Sequence, residues 1–159
     1  MSDVSAATPE SATAASQAYI LFGVAGTTYA LASDHVVHIE MIEQVTPVPN
    51  APAFVEGVVF SRGQVVPVIN LRARFGFERA GITGRTRLLV VQYEGRRVGL
   101  LADESREFVR ISASAIRPPQ DTIGGLSGNY LAGVATLGQR IVLILDVRDV
   151  VEFVPATLA

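Results

Sequence analysis

The chain has 159 residues, 49% of them hydrophobic, carries a formal net charge of −2 and contains no cysteine. That length suits one ordinary domain or two very small ones, and the missing cysteines exclude disulfides, thiolate catalysis and thiolate metal sites. The slight acidic excess counts against nucleic acid, whose binders neutralise phosphates with a positive surplus.

Residues 1–17, MSDVSAATPESATAASQ, are rich in alanine, serine and threonine and hold no lysine or arginine. They lack the basic start and apolar core of a secretory signal, so they read as a disordered tail. No run of 18 apolar residues occurs, so no membrane-spanning helix is expected and the chain reads as a soluble cytoplasmic protein. Valine and isoleucine recur while long runs of helix formers are missing. Branched side chains pack well on a pleated surface, so the prior is a mostly β protein.

Folding starts near Tyr19. The segment 19-YILFGVAGTTYALA-32 reads as two strands around a turn at Gly26. A short helix is expected to begin at Ser33 or Asp34, whose side chains can cap one. Then comes a β-branched run within 33-SDHVVHIEMIEQVTPVP-49, and Pro47, Pro49 and Pro52 hold a loop open, since proline cannot donate to a ladder. The stretch 57-GVVFSRGQVVPVINL-71 reads as strand, break at Arg62-Gly63, strand, and 79-RAGITGR-85 reads as a junction.

The pattern then repeats. Segment 87-RLLVVQYEGRRVGLLA-102 echoes the first hairpin, with Gly26 and Gly95 lying 69 positions apart. Segment 103-DESREFVRISASAIRPP-119 echoes 33–49, and a glycine-rich stretch, 121-DTIGGLSGN-129, reads as a mobile loop. Segment 133-GVATLGQRIVLILDV-147 echoes 57–71, with Asn70 and Asp146 lying 76 apart; 72-RARFGF-77 and 148-RDVVEF-153 close the copies. Five short strands per copy are too few for a two-sheet sandwich and suit a small closed barrel, which leaves no exposed edge. The expectation is an all-β chain of two five-stranded barrels in tandem, 18–82 and 86–153, related by a pseudo-twofold repeat. Each is marginal alone, so the two should share a buried interface.

Chemistry is scarce. His35 and His38 are three apart with Glu40 nearby, a fragment of a metal site, but catalytic zinc needs three ligands and the chain has no third histidine. The hydrolase elbow G-x-S-x-G and the phosphate-cradling P-loop pattern are both missing. Asp103 and Glu104 are neighbours, but on a strand adjacent side chains point to opposite faces; they read as a solvated turn. Arg85, Arg87, Arg96 and Arg97 around Tyr93 leave open a tandem-barrel binder of single-stranded nucleic acid. Otherwise the distinctive feature is apolar surface: Val36, Val37, Ile39, Met41 and Ile42 in one region, and Phe60, Val65 and Val66 beside Arg62. Exposed apolar patches mark protein interfaces, so the residues read as a non-enzymatic scaffold needing no cofactor and no metal.

Taken together, 20-ILFGVAGTTYAL-31, 36-VVHI-39, 47-PVPNAPAFVEGVV-59, 62-RG-63, 67-PVINLR-72, 98-VGLLAD-103, 116-IRPP-119, 130-YLAGVA-135 and 142-VLILDV-147 resemble the CheW-like coupling proteins of bacterial chemosensory signalling, over residues 18–153. The resemblance implies two SH3-like barrels and no enzymatic activity. It implies partners too: the cytoplasmic tip of a chemoreceptor and the regulatory domain of a CheA-type histidine kinase, in arrays at the membrane. By motif it places Val36, His38, Gly57, Phe60, Arg62, Gly63 and Gly99 on or near the partner-binding face. His38 stands where the family often has glutamate, Phe60 where it often has asparagine, and Asn70 where it usually has aspartate. These departures keep a CheW-like adaptor of a non-flagellar pathway in view. With no receiver domain in these residues, the CheV-type fusion is not expected.

Overall fold

The computed structural model describes residues 16–42, 44–119 and 130–152. Most of the tail and the whole glycine-rich stretch 121–129 lie outside the described residues, but Ser16 and Gln17, read as tail, already belong to the first strand.

Eleven strands are described: β1 (Ser16–Val24), β2 (Thr27–Ala32), β3 (Val36–Met41), β4 (Val55–Ser61), β5 (Gln64–Asn70), β6 (Arg87–Tyr93), β7 (Arg96–Ala102), β8 (Glu104–Ser112), β9 (Ile116–Arg117), β10 (Leu131–Leu137) and β11 (Arg140–Leu145). Two short helices, α1 (Leu71–Arg74) and α2 (Val147–Val151), follow β5 and β11. The helix expected at Ser33 is a single 3-10 turn, Ser33–His35, with no side-chain cap.

The strands form a five-stranded sheet, β3-β6-β7-β5-β4, and a six-stranded sheet, β8-β1-β2-β11-β10-β9. Each curls round on itself. In the first, the chain beyond β3 crosses to β4, where the amides and carbonyls of Thr46 and Val58 exchange bonds of 2.9 and 2.8 Å. In the second, the two-residue β9 crosses to β10 in the same way.

The sequence division into 18–82 and 86–153 does not match these sheets. The hairpin β1–β2 joins β8–β11, through a parallel pairing of β2 with β11, and the hairpin β6–β7 joins β3–β5, through a parallel pairing of β7 with β5. The two copies have exchanged hairpins. The reason is visible in the register: Val68 opposite Gly99 becomes Ile144 opposite Ala30 when 76 and 69 are added and subtracted. Because both hairpins carry equivalent patterns, either one satisfies either set of partners, and a repeat cannot distinguish exchanged from unexchanged pairing. The repeat itself is carried down to irregularities. The break in register between Val55 and Gly57 recurs between Leu131 and Gly133.

The exchange also explains the continuous apolar runs in the hairpins, since strands buried on both faces lose the in-out alternation. One face of β1–β2 lines the interior of its barrel with Tyr19, Leu21 and Ala30. The other packs Ile20, Phe22, Tyr29 and Leu31 against Leu89, Val91, Val98 and Leu100 of β6–β7. The interface between barrels is thus a larger apolar cluster than either barrel's interior. At about 25 cal/mol per Å² of apolar surface, that shared layer makes the barrels one cooperative unit.

At its rim the Arg74 guanidinium lies 4.2 Å from the ring centre of Phe54 and 4.7 Å from that of Tyr130, and donates to the carbonyls of Val150 and Asp149 at 3.2 Å each. Phe54 and Tyr130 are repeat mates, 76 apart, and so are Arg74 and Val150; Arg74 therefore sits close to the pseudo-twofold axis. Burial lowers its pKa, against the attraction of Tyr130 and Asp149.

Candidate protein-docking site

The hairpin β4–β5 carries the Arg62-Gly63 motif. Ser61 pairs with Gln64, so two residues make the turn, and both are left-handed, with φ of 48° at Arg62 and 84° at Gly63. That is the pattern of a type I′ turn, whose twist matches the flanking strands. The same pattern recurs at Ala25-Gly26 and Glu94-Gly95, so a left-handed residue before glycine is a habit of this fold and not by itself a mark of function. What sets this turn apart is its surroundings. Phe60 and Val65 face each other across the strands and are 75% and 59% exposed. Arg62 is exposed and has no side-chain partner among the described residues. The tip is therefore an apolar pair beside an unneutralised cation on a stiff turn.

Beneath the tip, Ser61 is buried. Its hydroxyl donates to Glu40 Oε2 at 2.9 Å and lies 3.1 Å from His38 Nε2, which in turn is 2.6 Å from Glu40 Oε2. This network ties β3 to the tip end of the hairpin. It is not a catalytic triad, because a triad needs the carboxylate on Nδ1 and the hydroxyl on Nε2. Here both meet Nε2, and His38 Nδ1 is buried without a partner. The His38 side chain is only 7% exposed, so its contribution to the tip is support from below. His35 sits apart in the 3-10 turn, and among the described residues no group of three metal-ligating side chains forms.

The other candidate residues divide clearly. Val36 is half-buried against the layer between barrels, with Ile39, while Val37 and Met41 are 40% and 64% exposed. Ile42 and Val66, read as possible surface, are buried. Gly57 is required by the crossing strand: its φ is 146°, and a Cβ there would stand 2.1 Å from the Thr46 carbonyl oxygen. Gly99 is buried in β7, where a Cβ would lie 2.7 Å from Leu88 Cδ1. Both glycines act through close packing, Gly57 against backbone and Gly99 against a side chain.

Asn70 is a helix cap. Its Oδ1 accepts from the Ala73 amide at 3.1 Å and so caps α1, as Asp146 caps α2. Its Nδ2 also donates to Glu56 at 3.0 Å, which a carboxylate could not do.

Asp103 and Glu104, read as a solvated turn, are ion-paired. Arg72 grips Asp103 through Nε at 2.9 and 3.1 Å and through Nη2 at 2.8 Å, and the Ala25 amide adds a fourth bond at 2.8 Å. Glu104 pairs with Arg85 at 2.5 Å and Arg106 at 2.9 Å. Arg87 donates to the carbonyls of Gly84 and Thr86. Arg85 and Arg87 are therefore engaged within the chain, which weakens the case for a nucleic-acid groove. Phe108 and Ile141 are also exposed, at 67% and 61%; Phe108 adjoins Val109 in β8 and Ile141 opens the apolar run of β11, so neither stands out in sequence from its more buried neighbours.

Two small barrels fused through a shared apolar layer, with an exposed apolar pair and, among the described residues, an unpaired arginine at one hairpin tip, define a class: a tandem-barrel β protein with the surface features of a scaffold. The chain belongs to the CheW-like family, whose domain model matches residues 18–154. It is 29% identical over 136 residues to a chemotaxis protein CheW from Klebsiella aerogenes, covering 86% of this chain and 82% of that one. It is 31% identical to a chemotaxis protein CheW from Helicobacter pylori, covering 84% and 81%, and 32% identical to protein FrzA from Myxococcus xanthus, covering 74% and 73%. The crystal structure of the scaffolding protein TtCheW from Thermoanaerobacter tengcongensis superposes with a TM-score of 0.75 at 27% identity, covering 82% of this chain and 88% of that one.

Proposed function

We propose that the chain is a non-enzymatic coupling scaffold of a chemosensory pathway. It joins a chemoreceptor's cytoplasmic tip to the regulatory domain of a CheA-type histidine kinase, in the cytoplasm at membrane-associated arrays. Among the described residues no helix is long and apolar enough to cross a membrane, so recruitment to the membrane would come through partners.

The observation that carries this reading is the β4–β5 tip. Phe60 and Val65 offer an apolar anchor pair, and Arg62 offers a cation that nothing in the described chain neutralises. Anchors of this kind, an exposed aromatic with a flanking arginine, dominate protein interfaces. Gly63 lets the turn close, His38 braces it through Ser61, and Gly57, Val36 and Gly99 set the strands on which it stands.

The test is Arg62→Glu, with Phe60→Ser beside it. Titration against purified kinase regulatory domain and a receptor tip fragment should show at least tenfold weaker binding to one of them, with an unchanged unfolding midpoint. Wild-type affinity of both variants for both partners would remove the hairpin tip from the coupling surface.

A further inference from the structure

Arg72 and Arg148 are repeat mates, 76 apart, and each is the second residue of its helix. Their surroundings differ. Arg72 is answered inside the chain by the Asp103 carboxylate, in a bidentate pair, beside a cavity of about 290 Å³ that also holds Arg85 and Glu104. Arg148 lines a cavity of about 370 Å³ with Gln17, Tyr19, His35, Tyr93 and Asp146, and no carboxylate pairs with it among the described residues.

The cause lies in the strand connections. The mate of Asp103 is Asp34, 69 positions earlier. Between β7 and β8 only Asp103 intervenes, whereas the 3-10 turn Ser33–His35 separates β2 from β3. That extra turn carries Asp34 outward, where it is exposed and unpaired with any arginine. In the position of Glu104 stands His35, so an acidic group is replaced by an imidazole. Asp146 does line the cavity, but its Oδ1 accepts from the amides of Arg148 and Asp149, at 3.0 and 3.4 Å, in capping α2. Gln17, Tyr19 and Tyr93 add donors to the walls. The cavity thus presents a guanidinium, an imidazole, neutral donors and one carboxylate, that of Asp146, which the α2 cap engages through Oδ1.

We propose that this cavity, between β1, β2, β11 and α2, receives the carboxylate of an acidic side chain from a partner protein, held by Arg148 as Asp103 is held by Arg72. The planar fork of arginine matches a carboxylate bidentately. The site lies apart from the β4–β5 tip, so it is a second contact and does not depend on the role given to Arg62.

The probe is the capped pentapeptide Leu-Ala-Asp-Glu-Ser, the chain's own segment 101–105 that carries Asp103. Its control is the amide analogue Leu-Ala-Asn-Gln-Ser. Titrated into the full chain, the acidic peptide should give saturable NMR shifts at the Arg148 Nε–H and the His35 ring. Binding should be at least tenfold weaker with the amide analogue and with Arg148→Gln, and weakened severalfold by Arg148→Lys, which keeps the charge but loses the fork. Arg62→Glu should leave it intact. Equal response to both peptides, persistence in Arg148→Gln, or tighter saturation by inorganic phosphate, which would make this a free-anion site, would each overturn the proposal.

Discussion

The hairpins β4–β5 and β10–β11 are the same piece of framework used twice. They share pairing register, a bulge before the same glycine and a capped helix after the second strand. Their tips differ in chemistry. The first presents Phe60, Arg62-Gly63 and Val65; the second presents Thr136, Gly138-Gln139 and Ile141, with only Gly138 left-handed. The second tip's arginine, Arg140, is answered by Glu107 at 3.2 Å, at the position equivalent to His38. What the copies share is what the barrel needs. Where they diverge, the barrel is indifferent, and partner contact has a place to act.

The largest expected effect tests the shared framework. Gly57 and Gly133 both stand where a crossing strand passes close. An added Cβ at Gly57 meets backbone, 2.1 Å from the Thr46 oxygen, at a φ of 146°. At Gly133 it first meets the Ile116 side chain, at 2.6 Å, which can shift. Gly57→Ala should cost about 4 kcal/mol or more, and Gly133→Ala about 1–3 kcal/mol, read by urea unfolding. Equal costs would mean that the crossing at Thr46 is more yielding than it looks.

An intermediate effect tests a contact that only one copy has. Burial raises the Asp103 pKa, but the hydrogen bonds from Arg72 and the Ala25 amide, with the Arg72 charge, outweigh it and hold the carboxyl below its ordinary range. A depressed folded pKa stabilises above the unfolded value, about 4, and that stability is lost as pH falls through the folded value. Discounted for a side chain one-third exposed, the pair contributes about 1 kcal/mol. Asp103→Asn should therefore be less stable than wild type by a constant margin from neutral pH to about pH 5, and the margin should shrink below about pH 4. A margin that does not change with pH would show that the asparagine fails for reasons of fit and not charge.

The repeat, the strand order within each copy and the shared apolar layer were legible because periodicity and burial write directly into residue type. The exchange of hairpins was not, since Leu31 and Leu100 are interchangeable to any pattern of apolar residues. Arg62 was legible as the residue that the second copy lacks. The bracing of the tip by Glu40 and Ser61 was not, because the two are 21 apart and meet only across a closed barrel. Nor was the engagement of Asp103, whose partners Arg72 and Ala25 come from the other copy.

The smallest effect on stability sharpens the comparison most. Arg62 and Glu94 hold the same left-handed place, at φ of 48° and 51°, each before a glycine. Asparagine tolerates that region better than either, so Arg62→Asn and Glu94→Asn should each raise stability slightly, by up to about 0.5 kcal/mol, in thermal unfolding. Binding should separate them. If the cation at the β4–β5 tip reaches a partner, Arg62→Asn should weaken binding to the kinase regulatory domain or the receptor tip about tenfold by calorimetry, equivalent to about 1.4 kcal/mol, while Glu94→Asn leaves both unchanged. A loss shared by both variants would place the effect in the turn's backbone, and Arg62 would then be no more than a solvated residue on a well-made hairpin.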